Sequence, residues 1–232
     1  MSKILVTGAD GKFAKVLKKS NKKLNLKFLS KNELNILKPG SIKKCLIKYK
    51  PKILIHTAGL SRPMKIHEIN IKKSIDLNII GTANIVKVCE SFNVKIIYFS
   101  TFYVYDGIKG NFKESDPIKP INNYGISKLG GECSVSMYKN SLILRIQMTE
   151  KPFQYNQAFT DLYSNFIYHD QMASILPKVI DQYGIINIGG KRQSVYNFAK
   201  KHNKKIKKLS LKNNSNLPAN QTMNLTKLKN LL

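Results

Sequence analysis

The sequence predicts an α/β protein: a doubly wound parallel sheet followed by a small C-terminal lobe. Three observations carry this expectation. Short apolar runs rich in branched residues alternate with helix-patterned stretches through residues 1–145. Those runs are mainly apolar, as strands covered on both faces should be. A glycine turn at Gly8–Gly11 joins the first run to the first helix, the connection that opens a βαβ series.

The expected strands are Lys3–Thr7, Leu26–Leu29, Lys52–His56, Lys95–Ser100 and Ser141–Arg145. One helix follows Gly11. A second follows Pro39-Gly40-Ser41, with Ser41 as its cap, since a serine oxygen can accept from a free N–H of the first turn. A long helix covers about Asn70–Phe92, and another begins at Asn122–Tyr124. Past Arg145 the pattern loosens. Helices are expected at Ala158–Phe166 and Gln171–Asp181, a strand at Gly184–Ile188 and a turn at Gly189-Gly190. A helix at Ser194–His202, a loop at Asn213–Asn216 and a closing helix at Leu225–Leu231 complete the chain. Residues 1–145 are thus read as the sheet domain and 146–232 as the lobe, with the strand at 184–188 returning to the sheet.

Composition narrows the function classes. Hydrophobic residues make up 42% of the 232, enough for a packed core and too many for a disordered chain. No apolar run reaches the ~20 residues that a spanning helix needs, and the first eight residues lack a secretory pattern. Cys45, Cys89 and Cys133 stand far apart, without disulfide or zinc spacing, so a cytoplasmic setting is expected. No residue cluster calls for a metal. The net charge is +27, from 40 basic and 13 acidic residues. Clustered cations of this kind suit a polyanion. Yet only Arg62, Arg145 and Arg192 are arginine, so 37 of the 40 are lysine, spread from Lys3 to Lys229. Base readers use the bidentate guanidinium that is scarce here. Nucleic-acid binding is therefore not expected; the charge is read as compositional, at most drawing in anionic substrates.

The turn Thr7-Gly8-Ala9-Asp10-Gly11-Lys12-Phe13-Ala14 has the spacing G-x-x-G-x-x-A. Its glycines allow a tight turn and a close backbone approach, and the helix that follows offers free N–H groups and positive potential. That chemistry suits a dinucleotide pyrophosphate. An acid at the end of the second strand would bind a ribose 2′-hydroxyl. Ser30-Lys31-Asn32 stand there, with Glu33 a little late. A hydroxyl and an ammonium suit a 2′-phosphate better, which favours NADP(H) over NAD(H).

A tyrosine and a lysine four apart share one helix face, and a nearby ammonium lowers a phenol's pKa toward usable acid–base chemistry. Composition alone gives roughly one or two Tyr-x-x-x-Lys matches by chance. Three occur: Tyr105/Lys109, Tyr124/Lys128 and Tyr196/Lys200. The first contains a turn and the third lies beyond the nucleotide-binding half. Tyr124/Lys128 opens a helix just after the strand that ends at Ser100-Thr101. Ligands of open α/β sheets bind at such carboxyl ends, where a hydroxyl can hold a carbonyl beside the phenol.

With these features on one chain, the sequence resembles the extended short-chain dehydrogenase/reductases, a Rossmann-type family, and within them the dTDP-4-dehydrorhamnose reductase group. The resemblance rests on ordered segments: Val6–Ala14, Leu34-Asn35-Ile36, Lys50–Gly59, Asn78–Asn84, Ser100–Gly107, Pro120–Glu132, Leu217-Pro218 and Met223–Leu228. It implies that Thr101 orients a keto oxygen, that Tyr124 donates the proton, and that Lys128 contacts the nicotinamide ribose and lowers the tyrosine pKa. Gly8, Asp10, Gly11, Lys12 and Phe13 match the pyrophosphate turn. Ser30 and Lys31 fall at the adenosine ribose, Asn35 and Ile36 near the adenine, and Ala58 and Gly59 by the cofactor's middle. The implied reaction is hydride transfer from NADPH to the 4-keto carbon of a nucleotide-linked 6-deoxy sugar, in a protein compatible with a homodimer. Phe102 stands where the group carries an acid, which argues against dehydration. The stretch between Arg145 and Tyr168 is shorter than in typical members, and His169 is read as a structural strand-end residue. Two alternatives remain: a sugar-nucleotide 4-epimerase holding NAD, and a nucleotide-binding regulatory subunit without turnover.

Overall fold

The computed structural model describes residues 3–21, 23–213 and 217–232. Of the loop expected at Asn213–Asn216, residues 214–216 lie outside the described residues. The central sheet has six strands: β1 (Ile4–Thr7), β2 (Leu26–Leu29), β3 (Ile53–His56), β4 (Lys95–Thr101), β5 (Ser141–Ile146) and β6 (Gly184–Ile188). Their order is β6-β5-β4-β3-β1-β2, and every pairing is parallel. The α/β doubly wound sheet is therefore as the sequence predicts, and Gly184–Ile188 does return as its edge strand.

Side chains alternate between the two faces of a strand, and both faces are buried. Val6, Ile55, Ile97, Phe99 and Leu144 pack on one face against Phe13 and Leu17 of the first helix (Lys12–Ser20). Met172, Leu176 and Val179 of the helix His169–Val179 complete that layer. Leu5, Leu54, Ile96 and Tyr98 pack on the other face against Ile42, Leu46, Ile85 and Val135. The division at residue 145 is crossed by β6, by the contact of His169–Val179 with the first helix and by the bridge of Phe112 to Met223. The rest of the lobe has its own small core around Phe153, Leu162, Tyr168, Val195 and Phe198.

Four local expectations change. The second helix opens at Pro39 rather than behind Ser41, because proline's fixed φ and missing N–H suit a first helical position. Ser41 lies inside the first turn, where its Oγ accepts from the Asn35 N–H at 3.0 Å. The long helix is interrupted: Ile71–Ile75 and Gly81–Ser91 flank a π turn at Asp76–Ile80. No helix forms over Ala158–Phe166. Gln157–Phe159 pairs with Lys207–Leu209, and Tyr163–Ser164 lies between Gln193–Ser194 and Asn220–Gln221. The four-residue spacing of Ala158 and Leu162 suits a helix, but strands from distant sequence use both residues as lobe core, so tertiary pairing overrides the local pattern. The closing helix is one turn, Thr226–Lys229.

A buried ion pair ties the sheet to the helix Asn123–Ser136. Glu132 Oε1 accepts from Arg145 Nη2 at 2.6 Å and from Nε at 3.0 Å, and each side chain is 2% exposed. Glu132 Oε2 accepts from Ser100 Oγ at 2.5 Å. Arg145 Nη1 donates to the Tyr105 hydroxyl at 2.7 Å and to the Glu114 carbonyl at 3.1 Å. The Tyr105 hydroxyl reaches Asn187 Oδ1 at 3.0 Å. The network thus spans β4, β5, β6 and the loop between β4 and the helix.

Two predictions follow from these buried polar groups. Glu132→Ala leaves a guanidinium buried without its carboxylate, and such a break costs about 3–5 kcal/mol; urea unfolding should show that loss. His56, held between Thr7 Oγ1 at 3.0 Å and Thr82 Oγ1 at 3.2 Å, is pushed down to about 3 by burial and by the Lys128 charge. Its folded pKa lies below the unfolded one. The stability it lends is therefore complete above about pH 6.5 and drains away as pH falls toward 3. Unfolding free energies measured across that window should decline, and less steeply in His56→Asn.

Candidate active site

The strand order reverses at β1, with β2 on one side and β3 on the other. A crevice must open at the carboxyl ends of β1 and β3, where the chain leaves in opposite directions. Gly8 and Gly11 lie on one lip and Ala58 and Gly59 on the other. The two lips are laced together: Thr7 Oγ1 accepts from the Ala58 N–H at 3.1 Å, and Thr57 Oγ1 donates to the Thr7 carbonyl at 2.5 Å. Gly8 has φ +72°, and a Cβ there would sit 2.8 Å from the Ala58 Cα. Only glycine permits that conformation and that closeness. The first helical turn after Gly11 carries no acidic side chain. A bare backbone at a helix N-terminus is the donor set for a pyrophosphate, so the lip fits a dinucleotide.

The expected cofactor residues do not all face this crevice. Lys12 and Asp10 are exposed at the turn. Phe13 is a core residue, its ring 5.0 Å from Phe99 and 5.8 Å from His169; its side chain lies beneath the turn. His169 opens the helix behind Ile167–Tyr168 and is held below its ordinary pKa, chiefly by burial. Ile36 is likewise committed to the core, so close to Gly81 that a Cβ there would meet its Cδ1 at 2.6 Å. Asn35 is engaged in a turn, its Oδ1 accepting from the Leu37 N–H at 3.0 Å. At the end of β2, Ser30 and Lys31 are joined by an acid that sequence spacing had put too late. Glu33 folds back, and its Oε2 accepts from the Ser30 N–H at 2.9 Å. That bond, with help from Ser30 Oγ and Lys27, holds its carboxyl below the usual range against the opposing effect of burial.

Thr101 ends β4, buried, and its Oγ1 accepts from the Tyr103 N–H at 3.3 Å. Tyr124 stands in the first turn of the helix Asn123–Ser136, which Asn122 caps by accepting from the Gly125 N–H at 2.8 Å. The Thr101 hydroxyl lies close enough to the Tyr124 phenol to pull its pKa down, so the expected pair is brought together. The phenol is packed by the rings of His67 at 5.0 Å and Tyr103 at 5.7 Å. Burial pushes it up to about 12, against the pull of Thr101 and Arg62.

This corrects the expectation that Lys128 lowers the phenol's pKa. The Lys128 ammonium lies 4.1 Å from the centre of the Tyr98 ring, within electrostatic reach of His56 and Glu132. Burial takes it down to about 7, with Glu132 pulling the other way. Lys128 is one turn from Tyr124 in sequence, but desolvation outweighs charge at both groups.

Sequence reasoning missed several participants. Asn78, in the π turn, donates from Nδ2 to Ser127 Oγ at 2.9 Å and to the Leu60 carbonyl at 2.8 Å, and accepts from the Leu60 N–H at 2.7 Å. It thereby pins the β3 exit to the Tyr124 helix, a placement typical of π turns at functional sites. Arg62 and Glu150 lie at the cleft, paired at 3.3 Å. Scarcity was the available signal: two of only three arginines, Arg62 and Arg145, serve this region, and Glu132 continues the Tyr124/Lys128 face at the next four-residue step. Among the described residues, no group of three His, Cys, Asp or Glu could hold a metal, and no helix is long and apolar enough to cross a membrane.

Comparison with known proteins identifies the family and the fold. A family model described as the RmlD substrate binding domain matches residues 2–184. The chain is 30% identical over 154 residues to a dTDP-4-dehydrorhamnose reductase of Aggregatibacter actinomycetemcomitans, covering 64% of this chain and 52% of that protein. It is 34% identical over 102 residues to methionine adenosyltransferase 2 subunit beta of Xenopus laevis, covering 44% of this chain and 30% of that one. The chain thus spans about half the length of the first relative and under a third of the second. In fold it is similar to the crystal structure of a Bacillus anthracis dTDP-4-dehydrorhamnose reductase in complex with NADP. That likeness has a TM-score of 0.84 at 21% identity, covering 99% of this chain and 91% of that one.

The position of Tyr124 depends on its neighbour. A Cβ on Gly125 would lie 2.3 Å from the Tyr103 carbonyl oxygen, so Gly125→Ala must push the start of the helix away from β4. A displacement of about 1 Å at a reacting group costs on the order of a hundredfold in rate. Gly125→Ala should lose turnover on that scale while cofactor affinity, measured by fluorescence titration, changes far less.

Proposed function

The chain belongs to the RmlD substrate binding domain family, and from that premise we propose that it is an NADPH-dependent reductase of a nucleotide-linked 4-keto-6-deoxy sugar. The observation that carries this reading is the Thr101 hydroxyl against the Tyr124 phenol at the mouth of a glycine-lined cleft. The likeness to the two dTDP-4-dehydrorhamnose reductases supports it. In this reading the backbone of Gly8–Lys12 holds the dinucleotide's pyrophosphate, Ala58 and Gly59 flank its middle, and Ser30 and Lys31 meet the adenosine ribose. The cofactor supplies the hydride.

The chain's own residues then have distinct tasks. Thr101 donates to the substrate's keto oxygen and fixes its place. Tyr124, with a pKa of about 12 in the free protein, keeps its proton at neutral pH and delivers it to that oxygen as negative charge develops. Lys128, drawn down to about 7, is half-charged near neutrality and contacts the nicotinamide ribose. Tyr103 and His67 pack the phenol and keep water from it. Catalysis by these groups is positioning plus one proton transfer. Soluble action in the cytoplasm, as a possible partner in a homodimer, belongs to the same proposal.

A second reading is a nucleotide-binding regulatory subunit. It draws on the likeness to methionine adenosyltransferase 2 subunit beta and on the short stretch between Arg145 and Tyr168. The Glu33 carboxylate at the β2 end bears on a third, an epimerase holding NAD, because an acid there suits a ribose 2′-hydroxyl.

NADPH oxidation assayed against dTDP-linked 4-keto sugars separates these readings. The reductase turns over; the regulatory subunit binds dinucleotide without turnover. Tyr124→Phe should cut kcat by about 10²- to 10⁴-fold with cofactor binding retained, and undiminished activity would refute the assignment. For cofactor choice, Lys31→Glu should weaken NADPH more than NADH, whereas Glu33→Gln should favour NADPH; the ratio of the two Kd values reads both.

A further inference from the structure

Three charged side chains from separate parts of the chain meet over the mouth of the cleft. Lys12 opens the first helix inside the glycine turn. Arg62 follows the β3 exit, three residues past Gly59, and Glu150 follows the β5 exit. One Glu150 oxygen accepts from Lys12 Nζ and the other from Arg62 Nη1 at 3.3 Å. A single carboxylate therefore bridges cations carried by both lips of the crevice. Burial alone would raise the Glu150 carboxyl, but Lys12, its own backbone N–H and Arg62 hold it at about 2, so it is ionised throughout the working pH range. The Arg62 charge is also felt by Tyr124, Tyr103 and His169, so the guanidinium is within electrostatic reach of the phenol.

The arrangement has the charge pattern of a site filled by its own anion. Two cations, one on a helix N-terminus and one a planar fork, make the recognition set for paired phosphates. The turn beside them presents bare backbone. In a chain with only 13 acids against 40 bases, one acid answers both of these cations.

We propose that Lys12 and Arg62 form a two-cation seat for a pyrophosphate diester, and that Glu150 is its resident counter-ion, displaced when the diester binds. Arg62 is thereby a binding residue of the cleft, and Glu150 sets how tightly the ligand is held. The proposal rests on the reading that the chain binds a dinucleotide and a nucleotide sugar, each of which carries such a diester.

Calorimetric titration of the full chain with NADP⁺, and separately with dTDP as the diphosphate of the nucleotide sugar, tests it. Glu150→Gln should bind NADP⁺ about threefold or more tightly than the unaltered chain, and Arg62→Met about tenfold more weakly. The gain from Glu150→Gln should vanish when Arg62→Met is added, and should shrink as salt rises. Glu150→Ala should repeat the sign with a different side chain. The same pattern with dTDP in place of NADP⁺ supports the seat and assigns it to the sugar nucleotide. Unchanged or weaker binding of both ligands by the Glu150 variants overturns the proposal and leaves Glu150 as a brace for the two cations. An unaltered chain that binds neither ligand overturns the reductase reading, and the seat with it.

Discussion

The buried pair of Glu132 and Arg145 is the constraint on which the site depends. Removing both charges from water is costly, and the cost is met only because nearly every polar atom finds a partner: Ser100, Tyr105 and the Glu114 carbonyl besides the pair itself. Those partners lie on β4, β5 and the loop beyond β4. The helix that carries Glu132 also carries Lys128 and Tyr124, at successive four-residue steps. Fixing its middle to the sheet therefore fixes its start, where the phenol must meet Thr101. Asn78 secures the same helix from the opposite side, through Ser127.

The electrostatics of the cleft follow from burial more than from charge pairing. Tyr124 is pushed up and Lys128 is pulled down, each mainly by loss of water. The result is a proton-bearing phenol and an amine of depressed basicity. The phenol keeps its proton at neutral pH, and the amine titrates near it. At the mouth the balance is reversed. Glu150 is partly exposed and has two cations, so pairing overcomes desolvation and the carboxylate stays charged. One cleft thus has a floor shaped by desolvation and a rim shaped by charge pairing.

Much of this was legible in the chain. The apolar runs placed the strands of the sheet to within a residue or so, because burial on both faces makes such runs mainly apolar. The glycine turn was legible because a φ of +72° against the Ala58 backbone admits no side chain. Thr101 and Tyr124 could be paired by their places, one at a strand's end and one at a helix's start. The lobe was less legible: Ala158 and Leu162 have a helical spacing, and only pairing with residues some 50 positions later makes Gln157–Phe159 a strand. Glu33 was misplaced because counting along the chain does not show a turn folding back on itself.

The sequence by itself determined the family and the sheet, and it singled out the candidate hydroxyl, phenol and amine, since all of these follow from local pattern and order. The tertiary structure alone decided which way the amine faces, which acid answers Arg145, and which cations share Glu150. Those are outcomes of desolvation and of contacts between residues up to 138 positions apart. Neither can be read from spacing, because each depends on how much water and which partner the fold leaves beside a charge.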